Sequence, residues 1–148
     1  MSVDVVTEIL IERPLAEVAA YANNFDNAPE WYANIKSVEW VSEPPLQVGS
    51  KVAFVATFLK RRLAYTYEFV ELSEQRLVMR TAEGLFPMET TYTFETTNPA
   101  QTRMTLRNCG EPSGFSKIAA PVMARAMRRA NLNDLKAIKA ILDAGQTS

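Results

Sequence analysis

The chain has no histidine, a single cysteine and only five glycines in 148 residues, and each scarcity closes off some chemistry. Without histidine there is no imidazole general base, no Ser-His or Cys-His nucleophile pair, and no histidine metal ligand. One thiol, Cys109, makes neither an internal disulfide nor a thiolate zinc site. Its place at a strand end beside Gly110 reads as a small apolar side chain rather than a nucleophile. The few glycines form no GxGxxG or Walker-type phosphate loop. No metal and no cofactor is expected, so any reaction would have to rest on Tyr, Arg, Glu or Asp.

An excess of charge of one sign is also missing. Sixteen Lys and Arg against seventeen Asp and Glu leave a net charge of −1, which offers no field for nucleic acid or an anionic membrane. No window approaches the ~18 apolar residues of a membrane span, so no membrane insertion is expected. The N-terminal MSVDVVTEILIERP mixes acids among its apolar residues, unlike a signal peptide, and with the lone thiol this predicts a cytoplasmic protein. The length and an apolar fraction of 47% predict a single domain over residues 1–148, with no linker, repeat or low-complexity stretch.

What the chain does contain is alternation followed by one long helical pattern. Val3, Val5, Thr7, Ile9 and Ile11 share one side of a first strand that Arg13-Pro14 ends. Pro14 suits the first turn of a helix over Leu15–Ala22. A second short helix follows, capped by Asp26 or Asn27, with Pro29 in its first turn and Trp31, Tyr32 and Ile35 as its apolar residues. Strands are then predicted around Val38–Val41, Val52–Phe58, Leu63–Val70, Arg76–Thr81, Met88–Glu95 and Thr102–Cys109. Their turns fall at Pro44-Pro45 and Gly49, Lys60–Arg62, Leu72–Gln75, Glu83-Gly84 and Thr97–Pro99. Only the first connection is long enough to hold helices, so the sheet is antiparallel and the fold class is α+β.

The closing stretch, Phe115 to about Leu142, reads as one helix. Phe115, Ala119, Val122, Met123, Ala126, Met127, Ala130, Ile138, Ile141 and Leu142 form its buried half, with Leu132 and Leu135 at the margins and Asp134 out of place. The opposite arc carries Lys117, Arg125, Arg128, Arg129, Lys136 and Lys139, a solvated face. Pro121 predicts either a kink or a helix that begins there.

This order of elements resembles the START-like superfamily, also called SRPBCC, and within it the polyketide cyclase, dehydrase and lipid-transport-like proteins. The resemblance is carried by Pro14–Ala22, the Asn27-Ala28-Pro29-Glu30-Trp31-Tyr32 connection running into Ile35-Lys36-Ser37-Val38, and Val48-Gly49-Ser50. Tyr67-Glu68-Phe69-Val70-Glu71-Leu72, Tyr92-Thr93-Phe94-Glu95 and the closing helix complete it. It implies the helix-grip fold: a seven-stranded antiparallel curved sheet wrapped on a long C-terminal helix, with an apolar cavity between. It also implies a hydrophobic small-molecule ligand, lipid- or polyketide-like.

Strand parity names the residues that would face such a cavity. Phe54, Tyr65, Tyr67, Tyr92, Met104 and Asn108 come from the sheet, Met123 and Met127 from the helix, and Trp31 closes one end. Val52, Phe58, Thr90, Leu106, Val122 and Ala126 share those faces. Aromatic and Met side chains with a few hydroxyls and one amide suit an apolar ligand fixed by sparse hydrogen bonds; the bland alternative is a packed core. Parity turns Glu68 and Arg80 to solvent. The reading is a carrier or sensor of an apolar small molecule rather than an enzyme. The alternatives are a cyclase or dehydratase working without metal or histidine through Tyr67, Tyr92 and Asn108, and a partner-binding module using the basic helix face. A homodimer is compatible with all three.

Overall fold

In the computed structural model the described residues are 3–32, 35–43, 46–58, 60–83, 87–111 and 120–144. Apolar–polar alternation makes strands, and here it makes β1 (Val3–Ile11), β2 (Ile35–Trp40), β3 (Lys51–Phe58), β4 (Arg61–Leu72), β5 (Arg76–Glu83), β6 (Met88–Asn98) and β7 (Gln101–Gly110). They form one antiparallel sheet in the order β1-β7-β6-β5-β4-β3-β2. Neighbours in sequence are neighbours in the sheet, except that β1 pairs with β7 and so leaves β2 at the far edge. Register shifts at Ile35/Ser37, Thr66/Tyr67, Phe69/Glu71 and Thr96/Asn98 bend the strands and let the sheet curl. Gly49 supplies a turn conformation that a side chain resists, with φ at 95°. Its N–H bonds Phe69 O at 2.8 Å, joining the approach to β3 onto β4.

Between β1 and β2 lie α1 (Leu15–Ala22), a 3-10 turn (Phe25–Asn27) and α2 (Ala28–Trp31). Asn27, one of the two residues the sequence offered, stands at the N-cap of α2, though its side chain makes no cap hydrogen bond. The 3-10 turn before it is capped by Asn24, which accepts from the Asp26 N–H. Pro29 sits in the first turn of α2, where its missing N–H has no intrahelical acceptor to lose. Ile35 belongs to β2 rather than to the helix before it, because α2 ends at Trp31. Phe25 is fully buried and touches Phe54, Phe69 and Tyr92, with ring centroids 5.1–6.3 Å apart. That contact fastens the connection to the concave face of the sheet.

The long helix α3 (Ala120–Ala144) spans about 37 Å at 1.5 Å per residue. Phe115 and Ala119 of the expected helix, Pro44-Pro45, Gly84 and the side chain of Phe58 lie outside the described residues. Pro121 falls in the first described turn of α3; the choice between a kink there and a helix that begins there turns on residues 112–119, which lie outside the described residues. The buried stripe is Met123, Met127, Asn131, Asp134, Leu135 and Ile138. This corrects the wheel drawn from sequence in three ways. Val122 is 53% exposed, Leu135 is central to the core instead of marginal, and two polar residues lie within the stripe. A wheel weighted by hydrophobicity counts Asn131 and Asp134 against burial, and so turns its apparent centre away from them.

The helix runs alongside β1 and is tied to it at both ends. Met123 and Met127 pack with Val3, Val5 and Leu63. Further along, the Arg13 guanidinium donates to Leu142 O at 2.7 Å and the Glu12 N–H donates to Asp143 at 2.9 Å. Arg13 thus neutralises the partial negative charge at the helix C-terminus. Ion pairs stud the outer face of the sheet, among them Arg80–Glu89 at 2.6 Å and Arg107–Asp4, held by two hydrogen bonds at 2.6 and 2.8 Å. Arg80 is exposed, as its parity predicted, and Glu68 is partly buried.

The Asp4–Arg107 pair makes a pH prediction. The two-pronged hydrogen bond from Arg107 holds the Asp4 carboxyl below its ordinary value of 3.8. A folded value below the unfolded one adds stability above about pH 4, and that stability is lost as pH falls through the folded value. Thermal melts of wild type and Asp4→Asn should therefore differ at pH 7 and converge below pH 4. The difference is small at an exposed pair.

Candidate functional site

The layer between the concave sheet and α3 is mostly apolar, yet it contains a polar chain that crosses it. Thr90 and Tyr92 lie on one face of β6, paired respectively with Asn108 and Leu106 of β7. Tyr67 reaches across from β4, its hydroxyl 2.9 Å from Thr90 Oγ1. Thr90 donates to Asn108 Oδ1 at 2.5 Å, and Asn108 Nδ2 donates to Asn131 Oδ1 on α3 at 3.0 Å. Thr90 has one proton to give and gives it to Asn108, so Tyr67 must be the donor in the first link. The chain therefore has a direction, from the Tyr67 O–H through Thr90 and Asn108 to Asn131.

Three donors in this layer meet no acceptor among the described residues: Trp31 Nε1, Tyr92 Oη and Asn131 Nδ2. Their residues are 1%, 0% and 6% exposed. Asp134, 5% exposed and one helical turn past Asn131, stands near enough for its charge to act on both Tyr65 and Tyr92. Burial first and then this carboxylate push the Tyr92 hydroxyl well above its usual range. Tyr65 moves the same way, through burial, then Tyr67, then Asp134. Burial pushes Tyr67 up to about 12, against a smaller downward effect of its bond to Thr90. All three phenols are thus neutral near pH 7 and available as hydrogen-bond donors.

The structure brings the residues expected from sequence into two adjoining groups. Trp31, Phe54, Tyr67, Tyr92 and Met104 are buried together, with Tyr65 packed at their margin, and Trp31 stacks on Tyr32 with ring centroids 4.2 Å apart. Met123 and Met127 belong to a second cluster around Val3, Val5 and Leu63, which Tyr65 also touches. Asn108 is partly buried and links sheet to helix. Sequence reasoning missed Asn131 and Asp134. The trace it had was the acid it marked as out of place on the apolar side of the helix. Val122, expected to face inward, is exposed. Burial raises the Cys109 thiol, partly offset by Arg107, consistent with an unreactive side chain.

A separate groove of about 650 Å³ lies on the other face of the sheet, lined among others by Glu8, Gln75, Thr93, Glu95 and Arg103. Arg103 already pairs there with Glu95 at 2.5 Å and Glu8 at 3.8 Å. It shares none of the buried donors. No group of acidic, Cys or His side chains suited to a metal ion occurs among the described residues, and none of their helices is long and apolar enough to cross a membrane.

A seven-stranded antiparallel sheet curled around a long C-terminal helix, with two short helices after the first strand, is the helix-grip architecture of START-like, or SRPBCC, proteins. The chain belongs to the family described as polyketide cyclase / dehydrase and lipid transport, whose model matches residues 2–142. Solved structures agree on the fold. A protein of Thermus thermophilus superposes with a TM-score of 0.81 at 20% identity, covering 97% of this chain and 99% of that one. A START superfamily protein from Mycobacterium smegmatis gives 0.82 at 12% identity, covering 95% and 97%. The Zhui aromatase/cyclase from Streptomyces sp. R1128 gives 0.79 at 15% identity, covering 99% and 100%. No curated protein matches the sequence.

Proposed function

We propose that the layer between sheet and α3 binds a hydrophobic small molecule, lipid- or polyketide-like, and that the protein acts as its carrier or sensor. The observation that carries this reading is the hydrogen-bonded chain from Tyr67 through Thr90 and Asn108 to Asn131, set among aromatic and Met side chains. A core built only for stability gains little from a buried polar network, which needs every member satisfied. A binding site needs such groups to orient a ligand within an apolar lining. Family membership and the aromatase/cyclase neighbour lend support. Native mass spectrometry of gently purified protein, with a panel of fluorescent fatty-acid and polyketide-like probes, tests the reading. Micromolar binding accompanied by quenching of Trp31 emission is expected. If no probe binds and no co-purified mass is seen, the reading is wrong.

A second reading, cyclisation or dehydration of the bound compound, is favoured by one feature. Asp134 places a carboxylate beside neutral phenols in a buried setting, the pairing that acid–base chemistry without histidine requires. On this reading Asp134→Asn should abolish turnover of a linear poly-β-ketone thioester while probe affinity changes less than about threefold.

A further inference from the structure

Five buried side-chain atoms have no partner among the described residues. Arg13 Nη2 and Asn23 Oδ1 belong to the β1–α1 connection and the end of α1, and the other three, between sheet and α3, are all donors. Trp31 Nε1 can only donate, the Asn131 amide nitrogen can only donate, and the Tyr92 hydroxyl has its proton uncommitted. The acceptor half of Asn131 is already taken by Asn108. These donors also lie close to one another in the fold. Tyr92 is one row along β6 from Thr90, whose partner Asn108 holds Asn131, and the Trp31 and Tyr92 rings are 5.7 Å apart. A buried donor without a partner costs about 1–3 kcal/mol, so three of them at one place mark a position where an acceptor is expected.

Accepting the ligand-binding reading above, we infer that Asn131, Tyr92 and Trp31 form a subsite for a neutral carbonyl-type oxygen carried on an aromatic or fused-ring body. The rings of Trp31, Phe54 and Tyr92 supply flat apolar walls for such a body. An ionised carboxylate is the wrong occupant, because taking a full charge out of water into this apolar layer costs more than three neutral donors return. A saturated hydrocarbon chain is wrong too, since it leaves all three donors as they are. The subsite therefore selects by the oxygen a ligand presents rather than by its length.

Three probes with one skeleton separate these possibilities: 2-acetylnaphthalene, 2-ethylnaphthalene and 2-naphthoate, titrated at pH 7 by calorimetry and Trp emission. The ketone is expected to bind at least tenfold more tightly than the hydrocarbon, and the carboxylate more weakly than either. Tyr92→Phe removes only the hydroxyl and should bring the ketone within about threefold of the hydrocarbon, whose own affinity stays unchanged. Asn131→Asp, which still accepts from Asn108 but loses the donors, should do the same. Without any probe, Tyr92→Phe should melt no lower than wild type, because it deletes a polar group that has no partner. Equal binding of ketone and hydrocarbon overturns the subsite but leaves the ligand-binding reading standing, and tightest binding of the carboxylate overturns it in favour of an anion site. Binding of none of the three overturns the subsite, while the ligand-binding reading is decided by the fatty-acid and polyketide-like probe panel. The wild-type ranking decides without any variant.

Discussion

Phe25→Ala should cost about 3–5 kcal/mol of folding stability, the range for truncating a fully buried ring. The ring is 0% exposed and meets Phe54 and Phe69 edge-on and Tyr92 nearly parallel. Its backbone belongs to a three-residue 3-10 turn, too short to hold itself together. The ring is thus one of the anchors, with Val18, Ala22 and Trp31, that hold α1 and α2 on the sheet. Total stability for a domain is about 5–15 kcal/mol, so this one change removes a large share of it. At roughly 2–4 °C per kcal/mol, the melting temperature should fall by about 6–20 °C. Urea unfolding with an unchanged m-value checks it, and a loss below about 1.5 kcal/mol would show that the connection opens independently of the sheet. Phe25→Leu should recover part of the loss, since it refills volume without restoring the ring contacts. Because Trp31 follows six residues later, Phe25→Ala should also weaken probe binding.

How much of this is legible in the sequence varies with the physics of each element. The sheet is legible because a half-buried strand has a period of two, and β1, β3 and most of β7 keep it, while β6 breaks it where Thr90, Thr91 and Tyr92 are buried in succession. The helix–helix connection is less so. Phe25 stands alone between Asn23-Asn24 and Asp26-Asn27, and no period can be read from one apolar residue in a polar run. Its burial follows from contacts with residues 29, 44 and 67 positions away, which only the folded chain brings together. The candidate site is legible on the sheet side, where parity placed Tyr67, Thr90, Tyr92 and Asn108 correctly. On the helix side it is obscured, because Asn131 and Asp134 occupy the interior as polar residues and a hydrophobicity pattern reads such residues as surface. A conflict between local pattern and final placement is expected where function overrides packing. Asp134, an acid 5% exposed on the apolar side of the helix, is a conflict between pattern and placement.

The same reasoning sets the last expectation, for Thr90. Thr90→Val keeps the branched shape and strand preference of the residue and removes only the hydroxyl that joins Tyr67 to Asn108. Two buried groups then lose their partners, the Tyr67 O–H and the Asn108 carbonyl. At about 1–3 kcal/mol for each group, the loss should be roughly 2–6 kcal/mol. Tyr67→Phe alone should cost less, since it takes the donor away and leaves only a lone pair on Thr90. If the chain acts as a unit, the double variant Tyr67→Phe/Thr90→Val should be less destabilised than the sum of the singles by about 1 kcal/mol. Equilibrium urea unfolding of the four proteins measures this, and strict additivity would mean that the two bonds form independently. The functional consequence separates this variant from an ordinary packing defect. Without Thr90 the Asn108 amide is free to turn over, and in the turned orientation it no longer donates to Asn131. Asn131 then loses the bond that aims its nitrogen into the layer, so Thr90→Val should lower affinity for 2-acetylnaphthalene although Thr90 leaves the three unspent donors chemically intact. Affinity for 2-ethylnaphthalene should stay within about twofold, because the apolar walls are untouched.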